Sequence, residues 1–534
     1  MDGVTKLLNL AVPPLTLILL CVCMLPSLIF KQLMYVKKSV YKENVANKVV
    51  LITGAGSGIG EQIAYEYARR GAKLSLVDIR EEKLVAVADK TRSLGCPDVT
   101  IIGADVSKVQ DCKRFVDETV KYFGRLDHLV NNAGICPKPV KVENLRDISE
   151  YTQVMDVNFW GAVNGTLHAI PHLKMNKGRI VVIASVSGWF PVPRIGFYSA
   201  SKAAVINFFE SVRLEVGGDI GITIATPGMI KTDLALKAIK HEKGLEGRIP
   251  LASSSECAKA IVEGACRGDM FVTNPSWFKM LFPCKVLYPQ TVDWACRLFF
   301  GSSPNKSNME ANHMMSENKI LRFIVRSLFR ENVAGKVILI TGASSGIGEH
   351  LAYEYAKLLG SPDVITIPAD VSRAQDCQRF VESTINHFGR CGPFAIDIGF
   401  EPLGIEAEYV QLPNTKTAVI SLYETLRTEL GRNIGITIVT PGLIESEMSQ
   451  GKILTKEGKM VFDQQITDMQ VSVMPIRSVT EAANAIVNSV CRGGLSLISK
   501  SPEKDPVSKK VLDLTGLKKY VYPKSARSPN MKPC

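Results

Sequence analysis

The sequence predicts the α/β class, with a doubly wound parallel sheet covered by helices on both faces. Continuous apolar runs, such as KVVLIT at 48–53 and RIVVIASVSG at 179–188, alternate with segments of helical spacing such as 61–70. Strands that are buried on both faces are apolar along their whole length, and strand–helix alternation favours a parallel sheet. A glycine cluster directly after the first run indicates where that sheet binds a ligand.

The remaining predicted strands follow at similar intervals along the first half of the chain. KLSLVD (73–78) and VTIIGADV (99–106) come next, each preceded by a helical stretch. HLVNNAG (128–134) comes before the run at 179–188, and a further strand precedes ATPG (225–228). Repeated alternation of this kind predicts a doubly wound parallel sheet.

Composition limits the classes of function. The 534 residues are too many for one ordinary domain, and 46% hydrophobic with 22% charged residues is typical of a globular protein. A formal net charge of +12 favours an anionic surface. No zinc-finger spacing or aromatic–basic interleaving is present, so a membrane face is favoured over nucleic acid. The 13 cysteines include no CxxC pair, which indicates reduced thiols facing the cytosol and no metal site.

An apolar segment at 7–30 is long enough to cross a bilayer. Its prolines, Pro13, Pro14 and Pro26, disfavour a straight helix. A kinked transmembrane helix and a hairpin in one leaflet both remain open, while a secretory signal and a buried core helix are disfavoured by length and composition. Five lysines between positions 31 and 48 place the downstream chain on the cytosolic side.

Three segments of the first half recur in the second half. KVILITGASSGIGE at 336–349 repeats 48–61, 370–381 repeats 105–116, and 433–444 repeats 219–230. The offset falls from 288 to 265 to 214 residues, so the second copy has lost two segments. We predict the following organisation: an anchor with a basic flank at 1–46, a first α/β domain ending in an amphipathic segment at 47–300, a linker at 301–332, a degenerate second copy at 333–500, and a polar basic tail at 501–534.

The glycine cluster TGAGSGIG at 53–60 opens a helix directly after a strand. Gly54 permits a tight turn, while Gly58 and Gly60 let the backbone approach a pyrophosphate. The helix N-terminus presents unpaired N–H groups to the phosphates. This context predicts a Rossmann-type dinucleotide site.

Asp78 ends the second strand, where a carboxylate can bind both hydroxyls of the adenine ribose and repel a 2′-phosphate. Ile79 is not basic, so NAD is favoured. Arg80 keeps NADP possible, or it forms a surface salt bridge. Asp105 at the end of the third strand binds the adenine edge or caps the strand.

Tyr198 and Lys202 form a YxxxK pattern on one face of a predicted helix. A lysine ammonium near the tyrosine is expected to lower the pKa of the phenol, which is about 10 in solution. Ser185 ends a buried strand, where its hydroxyl can orient a substrate oxygen. Asn158, in NFWG, can hold a water that relays protons. NNAG (131–134) predicts a close-packed wall beside the cofactor, and ATPG (225–228) a backbone contact to the nicotinamide.

These motifs resemble the short-chain dehydrogenase/reductase family, which carries TGxxxGIG, NNAG, Asn, Ser and YxxxK in this order. Within it the chain is similar to the 11β-hydroxysteroid dehydrogenase-like proteins of plants, the steroleosins of oil bodies. That likeness rests on the proline-bearing N-terminus, HLVNNAG, NFWG, FYSASKAA (197–204) and NPSWFK (274–279). It covers about 1–300 and, in broken form, 333–534.

The resemblance implies that Tyr198 exchanges the proton, Ser185 contacts the substrate oxygen, Lys202 binds the ribose and Asn158 completes the relay. It implies an NAD(P)-dependent exchange of hydroxyl and ketone on a steroid or sterol-like lipid, and a possible homodimer. Many relatives carry basic residues at 78–79, so Asp78-Ile79 favours NAD and oxidation. The expected cofactor-binding residues are Gly54, Ser57, Gly58, Ile59, Gly60, Asp78, Ile79, Arg80, Asp105, Val106, Asn132, Ala133, Gly134, Tyr198, Lys202, Pro227, Gly228, Ile230 and Thr232.

The resemblance also implies attachment to the monolayer of a lipid droplet or to the endoplasmic reticulum, with a proline hairpin as the insert. Two other functions remain open: a droplet-coat protein with a minor enzymatic role, and a dehydrogenase for another lipid alcohol. A second apolar segment is expected either to lie on a surface or to cover the substrate pocket. It comprises Trp277, Phe278, Leu281, Phe282 and Leu287, interleaved with Lys279 and Lys285.

The second copy lacks the acid–base pair. At an offset of 214, Lys202 aligns with Lys416, but Tyr198 aligns with Leu412, and Ser185 with about Gly399. A leucine cannot exchange a proton, and NNAG and NFWG have no counterpart. We predict that this half has no dehydrogenase activity, although TGASSGIG (341–348) is intact.

Overall fold

The computed structural model describes most of the first 300 residues and separate stretches beyond them. The apolar segment at 7–30, and with it the anchor prediction, lies outside the described residues. Within the part of the chain that is described, no helix is long and apolar enough to cross a membrane. The described residues are 42–145, 148–240, 251–300, 336–344, 346–359, 363–389, 394–396, 411–430, 436–440, 444, 452–454, 460–462, 478–491 and 496–498.

Seven parallel strands form the central sheet of the first compact unit, in the order β3-β2-β1-β4-β5-β6-β7. Strand order reverses between β1 and β4, which is where doubly wound sheets open a crevice for ligands. The predicted fold class is therefore confirmed for this unit. The strands are β1 Val49–Thr53, β2 Lys73–Asp78, β3 Val99–Gly103, β4 His128–Asn131, β5 Arg179–Ile183, β6 Gly221–Pro227 and β7 Phe271–Asn274.

Helices connect these strands and cover both faces of the sheet. A π-helical turn at Asp156–Trp160 joins α4 to α5, and short 3₁₀ turns lie at Val142–Asn144, Val186–Gly188 and Ser276–Met280. The helices are α1 Gly58–Ala68, α2 Glu81–Ser93, α3 Val109–Phe123, α4 Ser149–Met155, α5 Gly161–Met175, α6 Gly196–Val216, α7 Asp233–Lys240, α8 Ser254–Arg267, α9 Leu281–Leu287 and α10 Pro289–Phe300.

Each face of the sheet has its own apolar core. On one face, Ile63 and Tyr67 of α1 pack with Ile261 of α8. On the other face, Phe115 of α3 packs with Phe208 of α6. Because both faces are buried, the strands tolerate no polar alternation, which explains their continuous apolar sequence.

A buried polar network lies at the amino ends of the strands, opposite the ligand-binding edge. The Glu43 carboxylate accepts bonds from Lys48 Nζ at 2.6 Å and Arg179 Nη2 at 3.1 Å, and His128 Nε2 lies 3.0 Å away. Tyr67 Oη lies 3.0 Å from His128 Nδ1. The segment that enters the domain is thereby fixed to the base of β1, β4 and β5.

The second compact unit holds most of the described residues beyond 335. Its described strands form only two-stranded sheets: β8 Leu339–Thr341 with β9 Phe394–Ile396, β10 Ile438–Thr440 with β13 Ser496–Ile498, and β11 Lys452–Leu454 with β12 Met460–Phe462. Its described helices are α11 Gly346–Leu359, α12 Ala374–Phe388 and α14 Val479–Cys491. Gly342 and Gly346 have φ of 68° and 63°, close to the 64° and 63° of Gly54 and Gly58. The local loop conformation thus repeats, while a duplicated domain stays a prediction.

One helix from beyond residue 335 belongs to the first unit. Helix α13, Gln411–Leu430, groups with 20–303 by its contacts, although its sequence lies within the predicted segment 333–500. It packs along α6. The sequence repeat aligns these two helices, since their last residues, Val216 and Leu430, are separated by the same 214 positions.

Candidate active site

The predicted catalytic side chains meet at the carboxyl end of the sheet. Helix α6 carries Tyr198 and Lys202 one turn apart on one face, and Ser185 follows β5. A Cβ placed on Gly134, after β4, would lie 3.2 Å from Asn158 Oδ1 and 3.3 Å from Lys202 Nζ. Four segments that are distant in sequence therefore converge at the crevice beside β1.

Lys202 is held in a defined position although it is almost fully buried, with 4% of its surface exposed. Its ammonium donates to the Ile183 carbonyl at 2.9 Å and lies 5.8 Å from the centre of the Tyr198 ring. Burial lowers the pKa of Lys202 to about 8. The group is therefore still mainly charged at neutral pH.

The environment of Tyr198 differs from the expectation. Burial raises the pKa of the phenol well above 10, the neighbouring Cys136 adds to this, and a hydrogen bond with Ser185 opposes it. The expected lowering by Lys202 is not found, because desolvation is the largest influence on this pKa and Lys202 is not among the groups that shift it. The Ser185 hydroxyl also accepts from the Ser187 N–H at 3.1 Å, which fixes its position after the strand.

Asn158 lies in the π-helical turn and is 2% exposed. Its Oδ1 accepts from the Ile135 N–H at 2.8 Å, and its Nδ2 donates to the Ile135 carbonyl at 3.0 Å and to Ser201 Oγ at 2.9 Å. The side chain thus fixes the loop after β4 against the catalytic helix. Its role in a proton relay stays a prediction.

The glycine loop has the geometry of a phosphate cradle. Gly54 and Gly58 adopt the left-handed conformation, and a Cβ on Gly60 would lie 2.3 Å from both the Gly54 carbonyl and Asn132 Nδ2. Asn132 Nδ2 donates to the carbonyls of Thr53 and Gly54 at 3.0 Å each, which connects NNAG to the loop. The first N–H groups of a helix have no acceptor within the helix, so those at the start of α1 can bind a pyrophosphate. Ile59 lies in this first turn, and Ala133 lies against Gly54.

Asp78 organises the expected adenosine-ribose end of the site. Its Oδ2 accepts from the Gly56 N–H at 3.0 Å, and its Oδ1 accepts from the Arg80 N–H at 3.0 Å. The Arg80 side chain lies 3.3 Å from Asp78 Oδ1 and donates to Ser57 Oγ at 3.1 Å. Arg80 therefore forms the predicted salt bridge and also reaches the glycine loop. Ile79 is 67% exposed beside them.

Asp105 has the turn-capping contacts that its strand-end position predicts. Its Oδ1 accepts from the Ser107 N–H at 3.0 Å and from the Ser107 hydroxyl at 2.8 Å. The next residue, Val106, is buried against Gly161. The Asp105 N–H itself donates to Asp111 Oδ2 at 2.8 Å. A contact of Asp105 with the adenine edge stays a prediction.

The segment after β6 closes the other side of the crevice. Pro227 ends the strand, and the Gly228 N–H donates to the Asn274 carbonyl at 2.8 Å. Ile230 is buried, and Thr232 Cγ2 would be 3.3 Å from a Cβ on Gly58. The segment that is predicted to contact the nicotinamide therefore extends as far as the glycine loop.

The segment 276–300 combines the two alternatives that its sequence left open. Phe278 is half-buried, and its ring would clash at 2.2 Å with a Cβ on Gly228, so it packs over the crevice. Leu281 is also half-buried. By contrast, the following large apolar side chains are 51% to 72% exposed: Trp277, Met280, Phe282, Val286, Leu287, Tyr288, Trp294 and Phe299. Of the two lysines, Lys279 is exposed, while Lys285 is bonded to Glu424 at 2.7 Å.

Sequence reasoning missed two residues in the site. Cys136 lies close enough to Tyr198 and Lys202 to alter both, and burial raises the pKa of its thiol to about 12. Ser201 holds the Asn158 amide. Ser201 lies inside the YxxxK pattern and Cys136 two residues after NNAG, but neither residue type marks a function by itself.

The second segment does not reproduce this arrangement in its described residues. Lys416, the counterpart of Lys202, is exposed, and Leu412 lies in the first turn of α13. The counterpart of Ser185 lies outside the described residues. Across the part of the chain that is described, no group of three or more His, Cys, Asp or Glu could hold a metal ion.

Comparison with known proteins agrees with this geometry. A family model described as short chain dehydrogenase matches residues 48–243. The chain is 47% identical over 311 residues to 11-beta-hydroxysteroid dehydrogenase 1A of Arabidopsis thaliana, covering 56% of this chain and 89% of the relative. It is 46% identical to 11-beta-hydroxysteroid dehydrogenase of Pinus massoniana, over 56% and 87% of the two chains. A solved short chain dehydrogenase/reductase from Burkholderia phymatum in complex with NAD is 23% identical, with a TM-score of 0.43, over 46% of this chain and 96% of that one.

Proposed function

This chain belongs to the short-chain dehydrogenase family, and on that premise we propose that it interconverts a hydroxyl and a ketone on a steroid or sterol-like lipid. It is an oxidoreductase, and NAD(P) use is consistent with its glycine loop. The observation that carries the proposal is the convergence of Tyr198, Lys202 and Ser185 beside that loop. The hydroxysteroid dehydrogenase names of its relatives support the substrate class.

The side chains divide the reaction between them. The Ser185 hydroxyl would hold the substrate oxygen, and Tyr198 would take its proton during oxidation or return it during reduction. The Lys202 ammonium would hold the ribose and, once a substrate oxygen approaches, favour the phenolate. NAD(P), when bound, supplies the hydride chemistry. Phe278 would exclude water from above the crevice.

Turnover tests this proposal directly. Absorbance at 340 nm with a panel of steroids, sterols and other lipid alcohols, and with both cofactors, should detect reduction of NAD. Tyr198→Phe should lower the rate by about 10²- to 10⁴-fold, because the general acid–base is removed, while NADH binding stays nearly unchanged. Activity that persists in this variant would remove Tyr198 from the mechanism. If only alcohols other than steroids and sterols are oxidised, the protein is a dehydrogenase for another lipid alcohol.

We further propose that the protein acts at a lipid surface, a droplet monolayer or the endoplasmic reticulum. The apolar sequence at 7–30 and the exposed side chains of 277–299 support this, since contiguous exposed apolar groups mark interaction sites. Flotation with phospholipid-coated droplets should recover the full chain, and less of a chain without 7–30. Trp277→Ser with Phe282→Ser should reduce recovery further, whereas Met175→Ser, an exposed control, should not. Flotation without turnover would favour a droplet-coat protein.

A further inference from the structure

Helix α13 is attached to the catalytic unit along α6. A Cβ on Gly196, the first residue of α6, would lie 2.9 Å from Leu422 Cδ1 of α13. Ala418 is buried in the same apolar cluster as Phe208 and Phe209, and Leu422 packs against that cluster. The helix thus contributes to the core of the unit that holds the active site.

Two ion pairs fix α13 to the helices at the end of the catalytic unit. Arg427 Nε donates to Asp293 Oδ2 at 2.6 Å, and the two residues are only 5% and 3% exposed. Lys285 Nζ donates to Glu424 Oε2 at 2.7 Å. Removing either partner of a buried pair is strongly destabilising, because it leaves an uncompensated buried charge.

Glu429, in the last turn of α13, holds two loops at once. Its Oε1 accepts from the Arg194 N–H at 2.6 Å, and its Oε2 accepts from the Val142 N–H at 2.9 Å. The loops also bond each other, since the Val140 N–H donates to the Arg194 carbonyl at 3.1 Å. Arg194 has a φ of 71°, which is strained for a residue with a side chain. The hydrogen bond that the Arg194 N–H donates to Glu429 stabilises that conformation.

Both loops border the predicted active site. The first follows Gly134, and Asn158 holds its start at Ile135. The second leads into α6 four residues before Tyr198. A cleft between them and α13 is lined by Val140, Tyr151, Phe197, Leu422, Leu426 and Glu429, among others. A displacement of either loop would therefore change the surroundings of Asn158 and Tyr198.

We propose that Glu429 is a positioning residue for these two loops, which would contact the substrate. The C-terminal half of the chain would then shape an active site that it does not itself carry. The reaction that the loops serve is the proposed function; their placement by Glu429 is independent of it. One carboxylate accepts hydrogen bonds from the backbone of both loops, and bonds to a charged acceptor are stronger than bonds to a neutral one. Burial raises the pKa of Glu429, and the two N–H bonds oppose that shift.

Full-length variants test the proposal. Glu429→Leu removes both acceptors, and Glu429→Gln keeps one. Amide hydrogen exchange of 137–145 and 190–197 should rise by about tenfold in the Leu variant and by less in the Gln variant. KM for the lipid alcohol should rise by about tenfold while kcat and NADH affinity change by less than about twofold, because substrate placement is affected before chemistry.

Glu424→Gln is the matched control, since Glu424 lies on the same helix and bonds Lys285 rather than a loop. Equal effects of the two Gln variants would mean that only helix docking matters, and would overturn the proposal. Unchanged loop exchange in Glu429→Leu would overturn it as well. If the Leu variant fails to fold, the Gln variant must still show the intermediate rise. If the wild type oxidises no alcohol, the proposed function fails, while the exchange comparison still decides the role of Glu429.

Discussion

The Asp78 carboxylate holds the backbone of the glycine loop and is also expected to bind the adenosine ribose. Both oxygens accept backbone N–H groups, and Arg80 lies against one of them. An anion at this position repels a 2′-phosphate, while the adjacent guanidinium could attract it. Cofactor preference therefore depends on the balance between these two side chains.

Asp78→Ala should shift that balance toward NADP. The change removes the repulsion and releases Arg80 from its salt bridge, so the ratio of NADPH to NADH affinity should rise by about tenfold or more. Fluorescence titration of both reduced cofactors measures this ratio. Arg80→Gln should lower NADPH affinity in the Asp78→Ala background, and an unchanged ratio would contradict the assigned role of Asp78.

For single residues, the sequence predicts which side chains belong to a motif, but not how deeply each is buried or which groups surround it. Tyr198, Lys202, Ser185 and Asn158 are recognisable because their chemistry requires those residue types at a fixed order and spacing. The direction of the pKa shift of Tyr198 was not predictable, because it depends on burial and on Cys136. Burial of one side chain is a property of the assembled fold rather than of local sequence.

The glycine loop shows how an element constrains its sequence. A Cβ on Gly60 would meet the Gly54 carbonyl and Asn132 Nδ2 at 2.3 Å, and backbone cannot yield as a flexible side chain can. The loop, β1 and NNAG therefore form one rigid cradle. Sequence context predicted this element because strand, turn and helix are local signals.

Gly60→Ala should disrupt the cradle. We expect a loss of more than about tenfold in NADH affinity and a fall of about 1–3 kcal/mol in the free energy of unfolding. Fluorescence titration and urea denaturation provide the two measurements. Gly218→Ala is the control, since a Cβ there meets nothing within 4 Å, and it should leave both quantities nearly unchanged. Equal behaviour of the two variants would refute the proposed close approach.

Over the whole catalytic unit, the polar network at the base of the sheet affects stability far from the chemistry. Burial lowers the pKa of His128, because desolvation disfavours the charged imidazolium. Burial opposes ionisation of Glu43, but His128, Lys48 and Arg179 outweigh it and hold its pKa well below its usual range. The folded state therefore resists protonation at both groups.

This predicts acid sensitivity. Below about pH 6.5 the unfolded chain binds a proton at position 128 that the folded chain does not, so the free energy of unfolding should fall by up to about 1.4 kcal/mol per pH unit. Glu43 adds a further loss below about pH 4.3. Denaturation between pH 8 and pH 4 measures this slope. His128→Gln should be less stable at pH 7 but flatter between pH 7 and pH 5; an equal slope would exclude His128 as its source.

The long-range arrangement of the second half was beyond sequence reasoning. The repeats identified the equivalence of α6 and α13, but not that α13 packs on α6, because such docking depends on contacts between residues more than 100 positions apart. The predicted domain at 333–500 places every repeated segment of the second copy, including α13, in one domain. Charge pairing with Asp293 and Lys285 instead associates α13 with the first unit.

The pairing of α6 with α13 has a consequence for concentration. A subunit that borrows a helix from a second chain loses it on dilution, since association is bimolecular. Here the helix is covalently joined to the site that it supports, and its effective concentration is fixed by the intervening chain. Specific activity should therefore stay constant when the enzyme is diluted to nanomolar concentration. Every active site has its own supporting helix at any expression level, because both lie on one chain.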